Sequence, residues 1–156
     1  MRDYSTIAAR LESERVAAEK DRAVRMQRVV DVLWDALHAT GVSWVGFYLH
    51  VADVVGGELV LGPRRDKPAC SPIGLHGACG RCFLSKRPLV VRDVSELGPN
   101  YIACDPRDRS EVVVPCLNED GTCWGVLDLD SHDGGSFDDF DAAGLILVLR
   151  TAGLTS

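Results

Sequence analysis

Six cysteines are the residues of this 156-residue chain most able to do chemistry: Cys70, Cys79, Cys82, Cys104, Cys116 and Cys123. Cys104 stands apart by its setting. The stretch Tyr101-Ile-Ala-Cys-Asp-Pro-Arg-Asp-Arg-Ser-Glu-Val-Val-Val-Pro115 puts it in a polar loop just ahead of a strand-like run. A cysteine inside an apolar run usually serves as a small buried hydrophobe. One followed by Asp105, Arg107, Asp108 and Arg109 sits where water and a reactant can reach it. Nearby arginines favour a thiolate and nearby carboxylates oppose it, so the net effect stays open. Cys70, Cys79 and Cys82 share a second loop, the last two as a CxxC unit at the start of a possible short helix, where thiolates are favoured. In a reducing compartment such a set means catalysis, redox exchange or a metal rather than a disulfide scaffold. Zinc is the weaker of these, because there is one CxxC rather than two and the other cysteines lack knuckle spacing. Cys116 and Cys123 lie at strand ends around a hairpin, as core fillers that could also pair across it.

Carboxylates and aromatics supply the other candidates. Asp128 and Asp130 are two apart in a strand-like run and so share a face, and Trp44 and Tyr48 share a face opposite Val45 and Phe47. The ordinary reading of the aromatics is a central strand's core. The four histidines, His38, His50, His76 and His132, are scattered, and only His76 falls within a cysteine loop.

Composition limits the partners. The 46% hydrophobic and 26% charged fractions are those of one ordinary globular domain. A net charge of −6 argues against nucleic acid or anionic lipid as the main partner. Met1 to Lys20 is charged and helix-like, unlike a signal peptide, and no apolar run is long enough to span a bilayer. The expected address is therefore the cytoplasm.

The elements that must position these residues follow from periodicity. Residues from about Tyr4 to Thr40 read as helix, with Met26, Val29, Val30, Leu33 and Leu37 on one face. The first half of that segment, poorer in large apolar residues, is either a separate helix or an arm for a partner subunit. Gly41 ends it and Val42 to Val51 is a strand, with a turn Val54 to Gly57 leading to an antiparallel neighbour, Glu58 to Leu61. From Gly62 to Arg87 periodicity is lost, except for a possible helix Ala78 to Lys86. Pro88 to Val91 is a short strand, and Asp93 to Asp108 is loop. Glu111 to Cys116 and Thr122 to Leu129 form a hairpin around the Asp120-Gly121 turn. Ser136 caps a last helix, with Asp138 and Asp139 in its first turn. The expected architecture is one α+β domain over residues 1–156, divided as 1–40 helical, 41–133 sheet and cysteine loops, and 136–153 helical. Both terminal helices would cover one face of an antiparallel sheet, leaving a pocket under the loops on the other.

Six phrases, in order, carry a family likeness: Ser43-Trp-Val-Gly-Phe-Tyr48, Lys67-Pro-Ala-Cys70, Gly77-Ala-Cys-Gly80, Ile102-Ala-Cys-Asp105, Ser110-Glu-Val-Val-Val-Pro115 and Gly125-Val-Leu-Asp-Leu-Asp-Ser131. Together they resemble the free methionine-(R)-sulfoxide reductases, enzymes built on a GAF domain. The resemblance implies that Cys104 is the nucleophile, Cys70 the main resolving cysteine and Cys79 an alternative one. It implies that Glu111, Asp128 and Asp130 hold the sulfoxide oxygen and the amino group, and that Trp44 and Tyr48 wall the S-methyl group. It further implies a homodimer regenerated by thioredoxin or a similar dithiol, with no metal or other cofactor. Two loop spacings depart from the family pattern: Cys70 to Cys79 is one residue shorter, and Cys79 to Cys104 one longer. Cys82 lies outside the family phrase. The competing reading is a GAF module that binds a ligand, senses oxidant or holds a metal without turnover.

Overall fold

Period-two alternation along five runs of chain builds the sheet. The computed structural model describes residues 1–52, 57–66, 69–101 and 104–156. In chain order its elements are α1 (Tyr4–Ser13), α2 (Arg22–Leu37), β1 (Val42–Val51), β2 (Glu58–Arg65), α3 (Ala78–Ser85), β3 (Leu89–Val91), β4 (Ser110–Leu117), β5 (Cys123–Ser131) and α4 (Asp139–Thr151). The strands lie in the order β2-β1-β5-β4-β3. Every neighbouring pair is antiparallel. The β4–β5 hairpin turns at Gly121, whose φ of 86° is the left-handed value that an Asp-Gly turn uses. The turn expected from Val54 lies, apart from Gly57, outside the described residues, as do Lys67, Pro68, Ile102 and Ala103 of the quoted phrases.

The two faces of the sheet have different jobs. Val45, Phe47, Val112, Val114, Leu127 and Leu129 point into the main core, against α1, α2 and α4. Burying each such side chain is worth about 1.5–3 kcal/mol, so this side anchors the domain. Trp44, Tyr48, Val113 and Val126 point the other way, against α3 and the loops around it. The α+β arrangement expected from the sequence is the one observed.

Several boundaries differ from expectation. Residues 4–40 are not one helix: the chain breaks after α1, with Arg15 at φ 56°, and restarts where the Asp21 carboxylate accepts from the Ala23 amide at 2.9 Å. α1 is no free arm. It buries Tyr4, Ile7, Ala8 and Leu11 against its own chain, and the Tyr4 hydroxyl donates to Asp141 at 2.6 Å. β2 runs on to Arg65, four residues past the expected Leu61. Its start is tied to the cysteine loop by paired amide–carbonyl bonds between Leu59 and Ile73, both 2.9 Å. Residues 94–100 of the expected loop form a 3-10 segment. The last helix is capped by Asp138, not Ser136. Asp138 accepts from the Asp141 amide at 3.1 Å and Asp141 accepts back from the Asp138 amide at 3.0 Å, satisfying two helix-end donors at once. The Ser136 hydroxyl instead accepts from Arg2 at 2.8 Å.

Gly144 is where α4 and α1 touch. A Cβ there would stand 2.2 Å from Cδ2 of Tyr4. Replacing glycine by alanine inside a helix gains about 1 kcal/mol, but overpacking a rigid ring costs about 1–3 kcal/mol. Gly144→Ala is therefore expected to lower the urea-unfolding free energy by about 1 kcal/mol, whereas a rise would show that α1 moves aside freely.

Candidate active site

On the loop-covered face, strand register assembles the acids. Glu111 on β4 pairs directly with Asp130 on β5, and Asp128 sits between Gly46 of β1 and Val113 of β4. Because side chains two apart share a face, Glu111, Asp128 and Asp130 all project to the same side as Tyr48. They line a cavity of about 50 Å³ together with Cys79, Cys104, Tyr101 and Asp108. Among its described lining residues none is basic.

Two loops close over these acids and are joined. Cys104 and Cys70, both half-buried, form a disulfide with Cα atoms 5.5 Å apart. The Tyr48 hydroxyl donates to the Cys70 carbonyl at 2.9 Å, fixing the second loop to β1. Cys79 enters from the first turn of α3, buried and free, and its thiol hydrogen-bonds the Asp128 carboxylate. Gly80 permits this depth, since a Cβ there would lie 2.2 Å from the Leu75 carbonyl. Trp44 is placed on the same face, its ring centroid 6.0 Å from that of Tyr48 and its indole lying over Gly46. It backs the wall formed by Tyr48 and is not among the residues that line the cavity.

The other cysteines stand away from this point. Cys82 is fully buried in the core beneath α3 and is not bonded to Cys79, so the CxxC unit is split between pocket and core. Cys116 is buried in the helix-side core, and Cys123, half-buried, donates its thiol to the Gly125 carbonyl at 3.1 Å.

Electrostatics follow from the lack of a basic residue among the described lining residues. Burial pushes Glu111 up to about 7, against a hydrogen bond with Asp128 that pulls the other way. Burial, then the charges of Asp130 and Glu111, raises Asp128 well above the ordinary carboxylate range. The same burial and the same acids hold the Cys79 thiol up. At neutral pH the cluster therefore retains protons and can donate one. Asp128 lines the cavity, and its Oδ1 is buried with no hydrogen-bond partner among the described residues.

The sequence reading missed three groups here. Tyr101 and Asp108 line the cavity. His132, just past β5, bonds Asp105 Oδ2 at 3.1 Å and approaches Asp108 Oδ1 at 3.7 Å. It docks the loop that carries Cys104 onto the end of β5, where the Arg109 amide also donates to the Ser131 carbonyl at 2.8 Å. His76, the histidine singled out by position, is exposed. The spacing Cys104-Asp-Pro-Arg-Asp108 is the signal that could have flagged Asp108, and nothing local to His132 points across to it.

Comparison with known proteins gives the family. The GAF domain family profile matches residues 22–154. The chain is 38% identical over 113 residues to the free methionine-R-sulfoxide reductase of Saccharomyces cerevisiae, covering 70% of this chain and 62% of that protein. It thus spans less than two thirds of that relative. Among solved structures it is similar to the free methionine-R-sulfoxide reductase of Neisseria meningitidis in complex with its substrate. That likeness has a TM-score of 0.82 and 39% identity, over 96% of this chain and 85% of that one. The reduced form of fRMsr from Staphylococcus aureus gives a TM-score of 0.85 at 31% identity, over 97% and 94%.

The raised carboxyls make stability depend on pH. A carboxyl whose value rises on folding carries its proton into the native state, so its contribution is complete below its ordinary value and lost as pH climbs through the raised one. Tm is expected to fall between about pH 5 and about pH 8, with Glu111 contributing around its value of about 7. Glu111→Gln should flatten the fall in thermal melts, and an unchanged slope would show that Glu111 is already ionised.

Proposed function

We infer the chemistry from one premise: the chain belongs to the GAF domain family and, within it, to the free methionine-R-sulfoxide reductases. We propose that it reduces free methionine-(R)-sulfoxide to methionine. The observation that carries this reading is the Cys70–Cys104 disulfide at the mouth of a cavity walled by acids and lacking a described basic residue. A net anion such as phosphate would be repelled there, whereas the ammonium group of a zwitterion is attracted, its carboxylate turned away from the acids.

In the proposed cycle the Cys104 thiolate attacks the sulfoxide sulfur. Reduction of that sulfur requires its oxygen to be protonated, and Glu111 or Asp128 supplies the proton as a buried general acid. Asp130, half-buried at the rim, and the unpartnered Asp128 Oδ1 accept from the substrate's ammonium group. Tyr48, backed by Trp44, walls the S-methyl group. Oxygen passes to Cys104 as a sulfenic acid and methionine leaves. Cys70 then condenses with the sulfenic acid, releasing water and forming the disulfide. An external dithiol, thioredoxin or a similar cytoplasmic reductant, opens that bond by exchange. Cys79 can serve as a second resolving thiol once the loops open. A homodimer completes the reading, as the resemblance implies.

With dithiothreitol and racemic free methionine sulfoxide, the wild type is expected to consume half the substrate, the R epimer. Cys104→Ser should abolish methionine release, a loss of at least about 10³-fold for removal of a nucleophile. The double variant Cys70→Ser, Cys79→Ser should still release one methionine per chain in a single turnover without reductant and leave a sulfenic acid that a dimedone probe traps. Folded, reduced protein that turns over neither epimer would sink the proposal.

A further inference from the structure

Cys79, Glu111 and Asp128 form a ligand set that the proposed cycle does not exhaust. The Cys79 thiol sulfur and one carboxylate oxygen from each acid lie within 4.8 Å of one another. All three residues are buried, at 5%, 7% and 5% exposure. All three line one cavity of about 50 Å³. One water's share of liquid volume is about 30 Å³, so the space admits a single ion with an exchangeable ligand. Asp128 lines this cavity, and its Oδ1 gives a second sign of a missing occupant, being buried and unpartnered among the described residues.

We propose that the pocket of the disulfide form binds one thiophilic divalent cation, Zn²⁺, through Cys79 Sγ and a carboxylate oxygen each of Glu111 and Asp128. The donor set chooses the ion. One sulfur with two oxygens suits zinc, whereas magnesium and calcium take oxygen ligands alone. Zinc holds sulfur at about 2.3 Å and oxygen at about 2.0–2.2 Å, which puts ligand atoms about 3.5 Å apart. The three atoms need close by only about 1 Å to reach that geometry. Three protein ligands leave a fourth position open, which water can fill. Cys70 and Cys104 are consumed in their disulfide and take no part. Zinc would occupy Asp128, which also holds the substrate ammonium, making the two exclusive. That last consequence rests on the function proposed above, while zinc binding itself does not.

The test uses the full chain in its disulfide form, without reductant, titrated with Zn²⁺ against a chromogenic zinc chelator. One zinc per chain is expected, unaffected by excess Mg²⁺. Cys79→Ser and Asp128→Asn should each weaken binding at least about tenfold, with circular dichroism checking the fold, and Cys82→Ser should leave it unchanged. Absence of bound zinc overturns the proposal, as does unchanged affinity in both weakening variants. Loss of zinc in His132→Ala would move the ion to the Asp105–Asp108–His132 cluster and overturn it equally. Free methionine should raise the apparent Kd for zinc. Zinc bound by these ligands yet indifferent to methionine would uphold the metal site and refute the ammonium placement.

Discussion

A sheet with oil on one face and acid on the other is the constraint from which this molecule follows. Along β5 the chain alternates Leu127, Asp128, Leu129 and Asp130, and the register with β4 adds Glu111 beside them. Ionised carboxylates cannot be buried in this number without a counter-charge, so the acids keep protons or wait for a cation. The helices on the far side, packed on Phe47, Leu127 and Leu129, hold the sheet that keeps these acids together. The site's reactivity is thus bound to the domain's core by single-residue alternation, and a one-residue slip of β5 would exchange oil for acid.

Much of this was legible because it is local. Asp-Gly marks the hairpin of β4 and β5, β-branched and aromatic residues mark β1, and the period of two puts Asp128 and Asp130 on one face. The cysteine loops were legible as loops, because glycine and proline break the periodicity there. What stayed hidden is what depends on chain meeting chain. Ser136 and Asp138 are both good helix caps by residue type, and the choice fell to Asp138 because Asp141 returns its bond. The break after α1 occurs at Arg15, a residue type that gives no warning of a left-handed conformation. His132 gains its place only once β5 ends beside the Cys104 loop.

The CxxC unit shows the same limit at smaller scale. Spacing makes Cys79 and Cys82 look like partners. Three positions along a helix turn one thiol about 60° from the other, enough to put Cys79 in the pocket and Cys82 in packed core. Which thiol faced the acids was decided by Gly80, whose missing side chain lets α3 settle on the Leu75 backbone.

The double tie between Leu59 and Ile73 bears on what happens when the Cys70–Cys104 bond opens. Ile73 is three residues beyond Cys70, and a chain of three residues reaches at most about 10 Å. Cys70 is thus a dog on a short lead, held to β2 through Ile73 and to β1 through the Tyr48 hydroxyl. Its thiol faces Cys104 at an effective concentration in the millimolar range or above, far beyond what a second protein molecule supplies. Re-closure of an opened Cys70–Cys104 pair is therefore an encounter within one chain, and its rate is set by the lead's length, independent of how dilute the protein becomes.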